Sequence, residues 1–213
     1  KSLYSATLSY NMLKKEGLPS LWFSYEVNIY HLWRIFEKMG AEKNDMLSVP
    51  FKNTTGRLEW IEKKIKEAKE KFFIKVVVID HLGFLAPFQK MNANMSQNYS
   101  VYLAQIVRDI KTLAVKNDII IILPVHVKKN TTEEISIRDI GHSGGIVQEA
   151  DVVLLLSREE DKTNNPKNFY TPFTNVILGK NRIGDETPRW KCEKVYGKLV
   201  ETDKVLNIEY EYK

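Results

Sequence analysis

Three stretches of the chain are apolar at consecutive positions: "IKVVVID" (74–80), "DIIIILPV" (118–125) and "DVVLLLS" (151–157). A strand with one wet face alternates apolar and polar residues, because successive side chains point to opposite sides. A strand that is apolar throughout buries both faces, and that requires a layer on each side of its sheet. The intervening segments supply such layers. "EVNIYHLWRIFEKMG" (26–40) sets Ile29, Leu32, Trp33, Phe36 and Met39 on one helical face, with Gly40 as its stop. "TGRLEWIEKKIKEAKEKF" (55–72) does the same with Leu58, Ile61, Ile65 and Ala68, and spaces Glu59–Lys63, Glu62–Lys66 and Glu67–Lys71 as ion pairs. "YSVYLAQIVRDIKTLAVKN" (99–117) repeats the period through Tyr102, Ile106, Ile110 and Leu113. The opening stretch, "KSLYSATLSYNMLKKEGL", spaces Leu3, Ala6, Tyr10 and Leu13 as a helix face and stops at Gly17.

With "SLWFSY" (20–25) and "MLSVP" (46–50) as further strands, the order is strand, helix, strand, helix. That order predicts an α/β fold, a mainly parallel twisted sheet with helices on both faces. From Thr174 to Glu201 the pattern changes to alternation with a turn at 183–187, which predicts antiparallel strands at one edge of the sheet. The 213 residues suit a single domain. The longest apolar runs are too short to span a bilayer, and no leader pattern is found at the start. A lone cysteine, Cys192, excludes an internal disulfide framework and points to an intracellular compartment. A net charge of +5 is compatible with a polyanionic partner.

In open parallel sheets, ligands bind beyond the carboxyl ends of the strands. Asp80 ends one buried strand, where a carboxylate either holds a hydrated magnesium ion or merely caps the next segment. Glu26 ends "LWFSYE"; it suits a water-polarising base facing Asp80, or a helix N-terminal charge. His126 follows "IIIILPV", as a phosphate-sensing imidazole or a satisfied strand-end histidine. Lys180 and Arg182 stand two apart in "GKNRIGDET", so an extended backbone aims both to one side, as a phosphate would require. The alternative is a solvated hairpin end. In "SIRDIGHSGGIVQEADVVLLLSRE", a serine-glycine-glycine loop could offer backbone N–H groups to nucleic-acid phosphates, or simply connect two elements. The loops 88–98 and 128–145 each follow a buried strand.

Taken in order, these segments resemble the motor domain of DnaB-type replicative ring helicases, a RecA-like ATPase core, over roughly residues 1–200. "LWFSYE" resembles the strand ending in the family's catalytic glutamate, which assigns that role to Glu26. "KVVVIDHLGFL" resembles its Walker B strand and assigns the magnesium-associated carboxylate to Asp80. "IIILPVHVKK" resembles the sensor strand; His126 stands where bacterial members have Gln, as in the phage primase-helicase and Twinkle-like branch. "IRDIGHSGGIVQEADVVLLLSRE" resembles the DNA-binding loop, which implies Ser143, Gly144, Gly145 and His142 on DNA, with Arg138, Lys128 and Lys129 supplying charge. Bacterial relatives carry Arg and an acidic residue where this chain has Gly141 and His142. "GKNRIGDE" resembles the element whose arginine reaches the neighbouring subunit's nucleotide, here Arg182 with Lys180 beside it.

The resemblance also gives the first two residues a meaning. A phosphate-binding loop ends in Gly-Lys-Ser and opens a helix. Lys1 would then contact the β- and γ-phosphates, and Ser2 would join Asp80 on magnesium. The glycine-rich half of that loop does not appear in the 213 residues, so this stretch is expected to turn over little ATP by itself. ATP and Mg²⁺ are the implied cofactors. Single-stranded DNA, a hexameric ring of copies and primase are the implied partners, in the cytoplasm of a bacterial or phage-infected cell or in an organelle such as the mitochondrion. A RecA-like recombinase or clock-type ATPase shares the core, and a non-catalytic nucleic-acid-binding or assembly module is the reading from another class.

Overall fold

The computed structural model describes residues 1–42, 45, 47–48, 57–85, 99–127, 135–140, 143–160, 170–184 and 188–202. Two sheets organise it. The first is parallel, in the order β2-β1-β3-β4, with β1 at Ser20–Ser24, β2 at Leu47–Ser48, β3 at Val76–Asp80 and β4 at Ile120–Ile122. The pleat of β3 sorts the core into two halves. Val76 and Val78 face Trp22, Ala6, Leu32 and Phe36, contributed by β1 and by helices α1 (Ser2–Glu16) and α2 (Ile29–Lys38). Val77 and Ile79 face Leu21, Phe23, Ile61, Ile65, Ile106 and Ile110, contributed by β1, α3 (Arg57–Phe72) and a long helix at Tyr99–Asn117. All of β3 is buried, as its sequence requires. A short helix, α4 (Leu82–Leu85), follows β3, so the long helix is α5.

The helix faces of α3 and α5 match their periodicity, with Ile61, Ile65, Ala68, Ile106, Ile110 and Leu113 buried. Among the ion pairs expected on α3, Glu62–Lys66 forms at 2.8 Å, whereas Glu67 pairs with Lys64 at 2.6 Å, three residues back. In α1 the buried positions are Ser5, Ala6, Thr7 and Ser9, while Leu3 and Tyr10 pack only at the margin. The expected apolar face is therefore rotated. Small polar residues let α1 lie close to both sheets. Ser9 Oγ donates to Ser20 Oγ at 2.6 Å and accepts from Trp22 Nε1 at 3.2 Å, while Thr7 Oγ1 accepts the Leu199 N–H at 3.1 Å. Gly17, at φ 66°, ends the helix in the left-handed conformation and donates to Leu13 O.

The other two apolar runs behave differently from the expectation. β4 is the edge of the parallel sheet among the described residues, and Ile120 is 44% exposed. The run 151–157 belongs to a second sheet, antiparallel in the order β5-β6-β7-β8, and in it only Leu155 is fully buried. Its strands are β5 (Val152–Glu160), β6 (Tyr170–Asn181), β7 (Arg189–Val195) and β8 (Lys198–Thr202). The antiparallel strands thus form a sheet of their own rather than an edge of the parallel one. Leu155 and Ile177 pack into the same core as Val77 and Ile79. No helix among the described residues is long and apolar enough to cross a membrane.

Candidate functional site

The carboxyl ends of β1, β3 and β4 point the same way, and the residues just past them meet. Asp80, last in β3, is in register with Ser24 of β1. Beyond that pair the Tyr25 and Glu26 N–H groups both donate to Asp80 O, at 2.7 and 3.2 Å. This shared carbonyl holds Glu26 beside Asp80. α2 begins later, capped by Asn28 Oδ1 on the Tyr30 N–H at 2.9 Å, so Glu26 is not the N-terminal charge of a helix. On the other side, Leu82 N–H donates to Pro124 O at 3.3 Å and ties the loop after β3 to the segment leading to His126.

Asp80 is fully buried. Its Oδ2 accepts the Ser2 hydroxyl at 2.6 Å; its Oδ1 is buried with no hydrogen-bond partner among the described residues. A buried polar atom left unpaired costs about 1–3 kcal/mol, so this oxygen calls for a donor or a cation. A hydroxyl and a carboxylate are hard oxygen ligands of the kind magnesium takes. Ser2 and Asp80 therefore fit a magnesium ion in chemistry.

Lys1 completes the group. Its Nζ lies 2.9 Å from Nε2 and 3.0 Å from Nδ1 of His126, donating to the unprotonated nitrogen, and 3.8 Å from Glu26 Oε2. Burial lowers its pKa, and the carboxylates of Glu26 and Asp80 counter this in part. His126 is also pushed below the ordinary histidine value, by burial first and then by the Lys1 charge. Beside Lys1 a cleft of about 640 Å³ opens between α1 and the antiparallel sheet, lined among others by Tyr4, Arg158, Tyr170 and Lys194.

One member of the cluster carries no role in the sequence reading. His81 follows Asp80 directly, with Nε2 3.6 Å from Glu26 Oε2 and 3.3 Å from His126 Nε2. The signal was adjacency: a second polar residue at the tip of the same buried strand. Glu26, His81 and His126 offer ligand atoms within 4.8 Å of one another, a spacing that alone would suit a metal such as zinc. The tautomer argues against it. The Gly83 N–H donates to His81 Nδ1 at 3.0 Å, which leaves the neutral ring's proton on Nε2, whereas an Nε2 metal ligand carries its proton on Nδ1.

Lys180 and Arg182 are engaged elsewhere. Lys180 Nζ donates to Val147 O at 2.7 Å and Gln148 O at 3.0 Å, in the last turn of α6 (Ser143–Glu149). Arg182 donates to Gln148 O and Asp151 Oδ1, both at 3.1 Å. The two side chains do point the same way, onto one carbonyl, but that carbonyl belongs to a helix C-terminus. Gly144 and Gly145 open α6; a Cβ on Gly145 would lie 2.2 Å from Ala104 Cβ, so close packing on α5 alone accounts for that glycine. Arg138 is exposed in a short 3₁₀ turn, Ile137–Asp139, closed by Ser136 and Asp139. Lys128, Lys129, His142, the loop 88–98 and the turn residues 185–187 lie outside the described residues, as does the side chain of Ser143.

The fold has close counterparts among solved structures. A DnaB-like replicative helicase, described with its interactions with primase, superposes with a TM-score of 0.73 at 19% identity, over 92% of this chain and 54% of that one. A KaiC-like protein of Pyrococcus horikoshii superposes with a TM-score of 0.63 at 14% identity, over 93% of this chain and 83% of that one. The chain therefore shares the α/β fold common to these two proteins. Residues 7–192 match the family described as DnaB-like helicase C terminal domain, and the chain belongs to that family. Among curated relatives, a probable replicative DNA helicase of Trieres chinensis is 28% identical over 217 residues, covering 86% of this chain and 46% of that protein. The replicative DNA helicase DnaB of Mycoplasma pneumoniae is 31% identical over 142 residues, covering 63% of this chain and 29% of that protein. The chain spans about half the length of these relatives, or less.

Proposed function

We propose that residues 1–213 act as one motor domain of a replicative DNA helicase, hydrolysing ATP to move a ring of copies along single-stranded DNA. The observation that carries this reading is the meeting of Lys1, Ser2, Glu26, Asp80 and His126 at one end of the parallel sheet, around a buried carboxylate oxygen without a partner among the described residues. Ser2 and Asp80 would hold magnesium, which when bound neutralises phosphate charge and orients the triphosphate. Lys1, resting on His126, swings to the phosphates when nucleotide enters. Glu26 orients the attacking water. His126 reads the terminal phosphate, and its neighbour Val127 is bridged to Ile140, at the border of the loop assigned to DNA. That bridge supports a path from phosphate to DNA grip. Arg182 and Lys180 of one subunit would reach the nucleotide of the next, so a closed ring, expected to be a hexamer, completes each site. Primase is a further partner under this reading.

The test uses the protein as encoded. ATP turnover is measured with and without single-stranded DNA, together with displacement of a strand from a tailed duplex. Turnover stimulated by DNA and lost in Asp80→Asn supports the motor. DNA binding with no nucleotide binding would favour a non-catalytic module, and turnover without strand displacement would favour another RecA-fold ATPase.

A further inference from the structure

His81 touches two of the residues that carry the proposed reaction, and its contacts leave it a single free donor. Its Nδ1 is taken by the Gly83 N–H at 3.0 Å. The neutral ring therefore has one hydrogen to offer, on Nε2, and among the described residues two acceptors face it. His126 Nε2 lies at 3.3 Å, within loose hydrogen-bond reach; Glu26 Oε2 lies at 3.6 Å, just beyond it. One donor serves one acceptor at a time. The ring is held for this work: it meets His126 edge to face at 4.5 Å between centroids and packs on Phe84 at 5.0 Å. Gly83 has the matching constraint, since a Cβ there would lie 2.7 Å from His81 Cε1 and 3.0 Å from His81 Nδ1.

We infer that His81 is a positioning residue that passes the state of His126 to Glu26. With no phosphate, the His81 hydrogen faces the His126 lone pair that Lys1 Nζ also approaches at 2.9 Å, and Glu26 has the Lys1 charge 3.8 Å away but no hydrogen bond from His81. When His126 turns toward a terminal phosphate, its Nε2 withdraws and His81 donates to Glu26 Oε2 instead, fixing the carboxylate that orients water. Loss of the phosphate returns the bond to His126. Glu26 is thereby set for hydrolysis only while a terminal phosphate is in place. The inference rests on the roles proposed for Glu26 and His126.

DNA-stimulated ATP turnover of the protein as encoded tests it. His81→Phe keeps the ring and removes the donor; kcat is expected to fall about 10–100-fold, the usual cost of losing an orienting partner. The KM for ATP should stay within about twofold, because ground-state binding is untouched. His81→Gln, which keeps an N–H near the Nε2 position, should recover most of the rate. Gly83→Ala should reproduce the kcat loss by displacing the ring, with thermal unfolding unchanged. A His81→Phe protein with normal kcat overturns the inference, as does a loss confined to KM or a His81→Gln protein no better than His81→Phe. Glu26→Gln run in parallel separates the two levels. If that variant is inactive while His81→Phe is normal, only the link through His81 fails; if it hydrolyses ATP normally, the role of Glu26 fails and the inference with it.

Discussion

Two groups of cations in this molecule live in opposite surroundings. Lys1 sits on His126, 3.8 Å from the Glu26 carboxylate and near an aspartate with one buried oxygen unpaired among the described residues. Lys180 and Arg182 sit on the last turn of α6, where the carbonyls of Val147 and Gln148 and the carboxylate of Asp151 take their donors. A helix C-terminus is a ready cation site, since its last carbonyls lack helical partners and carry the negative end of the dipole. The first group is incomplete without a ligand. The second is complete within one chain. For Arg182 to reach a neighbour's nucleotide it must release α6, so the same side chain would report nucleotide occupancy to the helix that Gly144 and Gly145 begin.

The sharpest way to break this comparison is Arg182→Ala. An arginine supplied in trans is worth about 10³–10⁵ in rate, whereas an exposed ion pair contributes only about 0.2–1 kcal/mol to stability. Turnover of the assembled protein should fall by at least about 10³-fold with a small change in melting temperature. Unchanged turnover with a lowered melting temperature would leave Arg182 as a helix clamp only. Next in size is Ser2→Ala, which leaves the fully buried Asp80 with both carboxylate oxygens unpaired among the described residues. It should destabilise the metal-free protein by about 1–3 kcal/mol in urea unfolding and raise the magnesium concentration needed for turnover. Equal urea midpoints would mean that the Ser2 hydroxyl does not serve the buried carboxylate. Lys180→Met should cost about 1 kcal/mol through the lost cap, with no change in magnesium requirement.

The smallest effect lies in neither group and serves as the control. Glu62 bridges Lys116 of α5 and Lys66 of α3, and these bonds hold its carboxyl down to about 2. A depressed folded-state pKa stabilises the fold fully above the ordinary glutamate value near ~4.3, and that contribution is lost as pH falls through about 2. Glu62→Gln should flatten this part of the stability–pH curve, more at low salt than at high, and leave ATP turnover unchanged. A change in turnover would mean that α3 and α5 couple to the site.

Much of this was legible in residue order. β3 and the faces of α3 and α5 follow from apolar period, because burial on a sheet or a helix imposes that period. Asp80, Glu26 and His126 were each found at a strand tip, and parallel strands bring their tips together. What the order hid depends on contacts distant in sequence. An apolar run says that a strand is buried, not which sheet buries it, so nothing in the order of 151–157 shows that it pairs in the antiparallel sheet. α1 buries its small residues because two sheets press on it, one through Ser20 and one through Leu199. Lys180 and Arg182 point to one side, as their spacing requires, but nothing local shows that the C-terminus of α6 lies there. His81 stood beside Asp80 in plain view, but its meaning comes from Gly83 and from residues far along the chain.

The central claim is that the carboxyl end of the parallel sheet hydrolyses ATP with Glu26 as the residue that orients water. Single-turnover hydrolysis of prebound ATP on DNA, comparing the native protein with Glu26→Gln, measures it most directly. The claim predicts that the variant holds ATP at native affinity and fails to hydrolyse it; hydrolysis at the native rate in Glu26→Gln would contradict it.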